Sequence, residues 1–107
     1  MDDTLLVIYV TCPVGKGGEM AEILVMQKLA ACVNIMPIES IYNWKGELCR
    51  DDEELLIIKS RLKKYAELEA KIKEIHPYDV PEIVAVEAGH VQKAYFDWVL
   101  EQTQSAD

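Results

Sequence analysis

The sequence predicts a small α+β domain, and three observations point there. Strand-like apolar runs alternate with segments of helical period in a fixed order. A length of 107 residues leaves room for one domain, taken here as residues 1–107. Half the residues are hydrophobic, with only 4 Pro and 5 Gly, enough apolar surface to offset chain entropy and too little Pro and Gly for a disordered or collagen-like chain. The order reads strand, helix, strand, strand, helix, strand, then a helical tail. Two βαβ-like halves joined by a hairpin are the signature of a ferredoxin-like split βαβ sandwich, βαββαβ plus a C-terminal helix.

Leu5-Leu6-Val7-Ile8-Tyr9-Val10-Thr11 is apolar at both parities, which predicts a strand covered on both faces and central in its sheet. Pro13, Gly15, Gly17 and Gly18 punctuate a loop. From Glu19 to Ala30 the apolar residues recur at spacings of three and four, which predicts a helix with a broad buried face. Ala31 to Met36 returns to strand character. Pro37 lacks a donor for the ladder, so a bulge or a sheet edge is expected there.

The run resumes through Ile38, Ile41, Tyr42 and Trp44 to Lys45-Gly46, a weaker hairpin signal than Asn-Gly. A two-residue turn there sets Trp44 opposite Glu47, Tyr42 opposite Cys49 and Asn34 opposite Ile57, and yields a long hairpin reaching beyond a small domain. Asp51-Asp52-Glu53-Glu54 lies in its second arm. Four acids are expensive in a buried strand, so this stretch is expected to be solvent-facing or bulged.

Leu55 to Ile58 is another two-sided strand. Tyr65, Leu68, Ile72 and Ile75 then mark a helix that must stop near His76, because Pro77 disfavours helical geometry before it. Glu82 to Glu87 reads as a short strand, and a final helix carries Tyr95, Trp98 and Val99. Right-handed crossovers put both main helices on one face of the sheet. The apolar residues of the opposite face have too few helices to cover them, which predicts self-association through the sheet and its hairpin.

Nineteen acidic against eleven basic residues give a net charge of −8. Nucleic acid and an anionic membrane surface are therefore not expected as partners, since affinity for both comes from Lys and Arg. No apolar run approaches the ~20 residues of a membrane span, and Met-Asp-Asp at the start shows no basic, apolar leader. Cys12, Cys32 and Cys49 are odd in number, with 19 and 16 residues between them, unlike a disulfide framework or a closed zinc site. Three free thiols suit a reducing compartment, and a cytoplasmic location is expected.

Four motifs stand in order along the chain: Thr11-Cys12-Pro13, the run from Lys28 to Asn34, Tyr42-x-Trp44-Lys45-Gly46, and His76-Pro77-Tyr78-x-Val80-Pro81-Glu82-Ile83. Together they resemble the CutA divalent-cation tolerance family, over about Leu5 to Leu100. The resemblance implies a homotrimer whose extended hairpins pair strands between subunits, a role in metal tolerance, copper binding in some members, and an architecture similar to PII signalling proteins. Carried over by position, it assigns copper to Cys12 and His76. Ile75 stands before His76, so the paired histidines of some members are absent.

A thiolate and an imidazole suit copper by ligand softness, yet two ligands leave the site incomplete unless water, Asp79 or another subunit contributes. The competing reading makes Cys12 a small core residue and His76 a hydrogen-bonding group at a helix end. The resemblance also sets Trp44, Lys59, Tyr78 and Glu82 near intersubunit clefts, as a candidate small-ligand site or as interface anchors.

No serine-hydrolase order, Walker loop or zinc-protease motif is present, so an enzyme is not expected. Gly15-Lys16-Gly17-Gly18 suggests a phosphate nest only superficially. The sequence thus predicts a non-enzymatic trimeric copper-binding and metal-tolerance protein, with a PII-like small-ligand sensor or scaffold as the alternative.

Overall fold

The computed structural model describes residues 3–105. Its elements are β1 (Leu5–Pro13), α1 (Gly17–Met26), β2 (Cys32–Trp44), β3 (Glu47–Arg61), α2 (Tyr65–Ile75, entered through a 3-10 turn at Leu62–Lys64), β4 (Ile83–Glu87) and α3 (Lys93–Gln102). The four strands form one antiparallel sheet in the order β2-β3-β1-β4. β1 is hydrogen-bonded on both sides, as its two-sided apolar pattern requires.

The even-numbered side chains of β1 face the main core. Leu6, Ile8, Val10 and Cys12 pack with Leu56 and Ile58 of β3, Met20 and Leu24 of α1, and Leu68 and Ile72 of α2. Residues opposite one another on paired strands share a face. The other face therefore carries Val7, Tyr9, Ile57, Val84 and Val86. Among the described residues its one helix, α3, lies over one end, where Val99 and Phe96 meet Leu5, Ala31 and Val7. Val84 and Val86 stay 50% and 49% exposed.

β2 and β3 pair without interruption from Cys32–Lys59 to Trp44–Glu47, including the three cross-strand pairs expected from a two-residue turn. Lys45 (φ 52°) and Gly46 (φ 83°) both take the left-handed conformation of that turn. Asn43 Oδ1 accepts the Gly46 N–H at 3.1 Å. Pro37 causes no bulge, because β2 is an edge strand and the missing donor is not needed on its free side. The distal arms carry exposed Ile41, Tyr42, Trp44 and Leu48, the last 77% exposed. The molecule measures 47 × 28 × 21 Å, with a radius of gyration of 14.6 Å, against about 13 Å for a compact chain of this length.

Two expectations need correction. The first helix runs from Gly17 to Met26, not from Glu19 to Ala30. Lys28 turns left-handed (φ 61°), and the N–H groups of Leu29 and Ala30 both return to the Leu24 carbonyl. Leu29 and Ala30 are still buried, so the apolar stripe was real but its last turn is a cap. The acidic run is neither bulged nor uniformly in solvent. Asp51 and Asp52 are exposed, Glu54 is half-buried, and Glu53 is only 7% exposed.

Candidate functional site

β4 pairs with β1 only as far as Val10. Beyond that point the free edge of β1 is met by the end of α2. His76 leaves the helix with extended geometry (ψ 138°), as its position before Pro77 demands. Its Nε2 lies 2.8 Å from the Thr11 carbonyl, and its Nδ1 lies 3.1 Å from the Tyr78 N–H. A carbonyl can only accept and a backbone N–H can only donate. The ring is therefore the neutral tautomer with its proton on Nε2, and both nitrogens are engaged.

The ends of β1 and α2 do meet, as the copper reading requires, but the donor chemistry does not fit copper. His76 has no free lone pair in this arrangement. Cys12 is fully buried in the main core. Burial foremost, then the nearby Glu54 and Glu53 carboxylates, pushes its thiol up to about 11, which keeps it protonated. Copper takes thiolate and unprotonated imidazole. Among the described residues no group of three or more His, Cys, Asp or Glu side chains is placed to hold a metal ion.

A cleft of about 730 Å³ opens between the distal hairpin and the loop from Pro77 to Glu82. Thr11, Ser40, Tyr42, Trp44 and Glu53 share one face of the sheet by register and form its floor. Tyr78, Asp79, Val80 and Glu82 form the facing wall. The Tyr78 hydroxyl donates to Glu53 Oε2 at 2.8 Å, and its ring lies 4.8 Å from the His76 ring, centroid to centroid. Burial, followed by the bond to Glu53, raises the Tyr78 phenol well above its ordinary 10. The Tyr42 hydroxyl donates to Asp51, which pushes that phenol up to about 12.

Trp44, Tyr78 and Glu82 are thus brought together, and a single chain suffices to form the cleft. Lys59 is not among its lining residues. It lies opposite Cys32 and Val7, its ammonium bonded to Asn34 Oδ1 and the Ile57 carbonyl. Sequence reasoning missed Glu53, which read as one acid in a solvated run. The parity of β3 offered a signal, since Glu53 shares the face of Leu55 and Ile57.

The glycine loop before α1 also gains an account. The Gly17 N–H at the start of the helix donates to Glu54 Oε1 at 2.8 Å. The anion-binding position of that N-terminus is filled by the chain's own carboxylate.

Residues 6–102 match the family model described as CutA1 divalent ion tolerance protein. The chain is 41% identical over 99 residues to the divalent-cation tolerance protein CutA of Thermus thermophilus, covering 91% of this chain and 96% of that one. It is 42% identical to the chloroplastic protein CutA of Arabidopsis thaliana, over 94% of this chain but 56% of the plant protein. The solved structure of the periplasmic divalent cation tolerance protein CutA from Archaeoglobus fulgidus superposes with a TM-score of 0.90 at 37% identity, over 94% of this chain and 99% of that one. Fold and sequence together define an α+β protein of the cation-tolerance class. The chain belongs to the CutA1 divalent ion tolerance family. Relatives named for the chloroplast and the periplasm show that membership does not fix a compartment.

Proposed function

We propose that this protein is a non-enzymatic divalent-cation tolerance protein that works as a homotrimer of ferredoxin-like domains in a reducing compartment such as the cytoplasm. The observation that carries the reading is the uncovered sheet face and hairpin. The chain exposes 6872 Å², against about 6,000 Å² for a compact monomer of its mass. A projecting arm bears exposed Ile41, Tyr42, Trp44 and Leu48. Neighbouring copies that cover this arm and the Val84–Val86 face remove that surface from water. The sheet order β2-β3-β1-β4 supports the ferredoxin-like connectivity.

The names of the relatives supply the cation class. A charge of −8 per chain multiplies on assembly and concentrates divalent ions such as copper at the surface. Because Cys12 is a buried thiol and His76 is engaged at both nitrogens, the cation role is assigned to the assembled acidic surface and not to that pair.

Native mass spectrometry of the reduced protein, with and without copper, tests both parts beside Cys12→Ala and His76→Ala. The expected result is a trimer whose copper uptake is the same in all three proteins. A monomer overturns the assembly. Copper adducts lost in both variants, with the trimer intact, restore the Cys12–His76 site.

One observation favours a second reading, a PII-like trimer that senses a small ligand. Convergent aromatic and acidic side chains line a cleft large enough for an organic molecule.

A further inference from the structure

We infer that Glu53 and Glu54 form an opposed clamp at the root of the hairpin arm, fixing its direction so that it docks preformed on a neighbouring copy. The inference rests on the assembly reading above, in which neighbouring copies cover this arm. Its first support is where the two acids stand. β1 pairs with β3 as far as Pro13–Glu53, whereas β2 and β3 continue together through Glu39–Asp52 to Trp44–Glu47. The sheet therefore narrows to a two-stranded ribbon immediately beyond Glu53. Such a ribbon has little stability of its own and twists readily, so its direction is decided at its root.

The second support is what the two side chains grip. Successive strand residues point to opposite faces of a sheet. On the helix face, Glu54 Oε1 accepts the Gly17 N–H at the start of α1 at 2.8 Å. On the other face, Glu53 Oε2 accepts the Tyr78 hydroxyl, from the loop after α2, also at 2.8 Å. Bending the root toward either face lengthens the bond on the other. Both bonds have a charged acceptor, which places them in the stronger class. Glu53 is buried, so parting it from Tyr78 leaves a carboxylate poorly reached by water.

The third support is how little else ties the arm to the body. Among the described residues, the side-chain bonds beyond the root join the arm to itself: Tyr42 to Asp51, Arg50 to Glu39, and the Gly46 N–H to Asn43. The cleft of about 730 Å³ separates the arm from the loop that carries Tyr78. An arm already held in its docking direction loses less conformational freedom on association. A trimer docks three arms, so the effect compounds.

Sedimentation velocity on a dilution series of the full-length protein tests the clamp, with Tyr78→Phe, Glu54→Ala and both together. Tyr78→Phe keeps the ring against His76 and removes only the hydroxyl. Leu24→Ala is the control, since it opens the main core and removes neither bond. The expected result is an assembly midpoint raised about tenfold or more by each clamp variant, and further by the pair, with Leu24→Ala at the parent's midpoint. Clamp variants that assemble like the parent overturn the inference. Leu24→Ala weakening assembly as much as they do also overturns it, because general destabilisation then accounts for the effect. A parent that stays monomeric overturns the assembly reading instead, and amide hydrogen exchange of residues 39–52 then decides the clamp. Exchange about tenfold faster in the clamp variants upholds its hold on the arm, and unchanged exchange overturns it.

Discussion

Replacing Gly17 by alanine should destabilise the protein, although alanine is ordinarily the better helix residue. A Cβ at position 17 would lie 2.6 Å from Glu54 Oε1, 3.0 Å from Leu56 Cδ2 and 3.3 Å from Ile35 Cγ2. The favourable side of the substitution is about 0.4–1 kcal/mol from reduced unfolded-state entropy. Against it stand two losses. Glu54 must swing away from the Gly17 N–H, which forfeits a charge-assisted hydrogen bond of about 1.5–3 kcal/mol. Leu56 is fully buried and already in the path of the new Cβ, so overpacking adds about 1 kcal/mol or more. The net is a loss of about 2 kcal/mol, or about 8 °C in midpoint for a chain of this size.

Urea unfolding of Gly17→Ala, Glu54→Ala and the double variant, at one fixed protein concentration, measures it. In the Glu54→Ala background the alanine should cost at least about 1 kcal/mol less, because the closest clash and the bond are already gone. A Gly17→Ala protein as stable as the parent, or a coupling below about 0.3 kcal/mol, would refute the account of this loop as a carboxylate-filled helix start.

Four further outcomes follow from the same geometry. Iodoacetamide at pH 8 should modify Cys32 and Cys49 well before Cys12, and Cys12 should react only on unfolding, read by peptide mass spectrometry. The folded Cys12 thiol holds its proton to about 11 while the unfolded thiol loses it near 9, so the native state binds more protons in between. Stability should therefore fall between pH 9 and 11, by at most about 2 kcal/mol from this group, with the raised phenols of Tyr65, Tyr78 and Tyr95 acting in the same direction; a flat urea midpoint over that window contradicts it. Tyr78→Phe should cost about 1–3 kcal/mol by leaving the Glu53 carboxylate without its donor, and Glu53→Gln in that background should recover part of the loss. Leu24→Ala, at a position with no exposure between α1 and the sheet, should cost about 2–5 kcal/mol in the same assay.

The elements were legible in the sequence wherever a local rule decides them. Chain order, the stop at His76 before Pro77, the centrality of β1 and the hairpin pairs Trp44–Glu47 and Asn34–Ile57 all follow from periodicity, proline geometry and a two-residue turn that fixes register for both arms. The four motifs that suggested the family rest on residue identity alone; the resemblance set Trp44, Lys59, Tyr78 and Glu82 near intersubunit clefts, whereas within the chain only Trp44, Tyr78 and Glu82 line one cleft and Lys59 lies apart. The tertiary structure decided the rest, because the deciding contacts join residues far apart in the chain. Glu53 became a buried acceptor through Tyr78, 25 residues away, and Glu54 a helix cap through Gly17, 37 residues away. His76 was committed to the Thr11 carbonyl across 65 residues, which turned a candidate metal ligand into a strand-edge partner. Sequence lists such side chains with their donors and acceptors, but only the fold sets which pair meets, since each buried polar group takes whichever partner packing brings within reach.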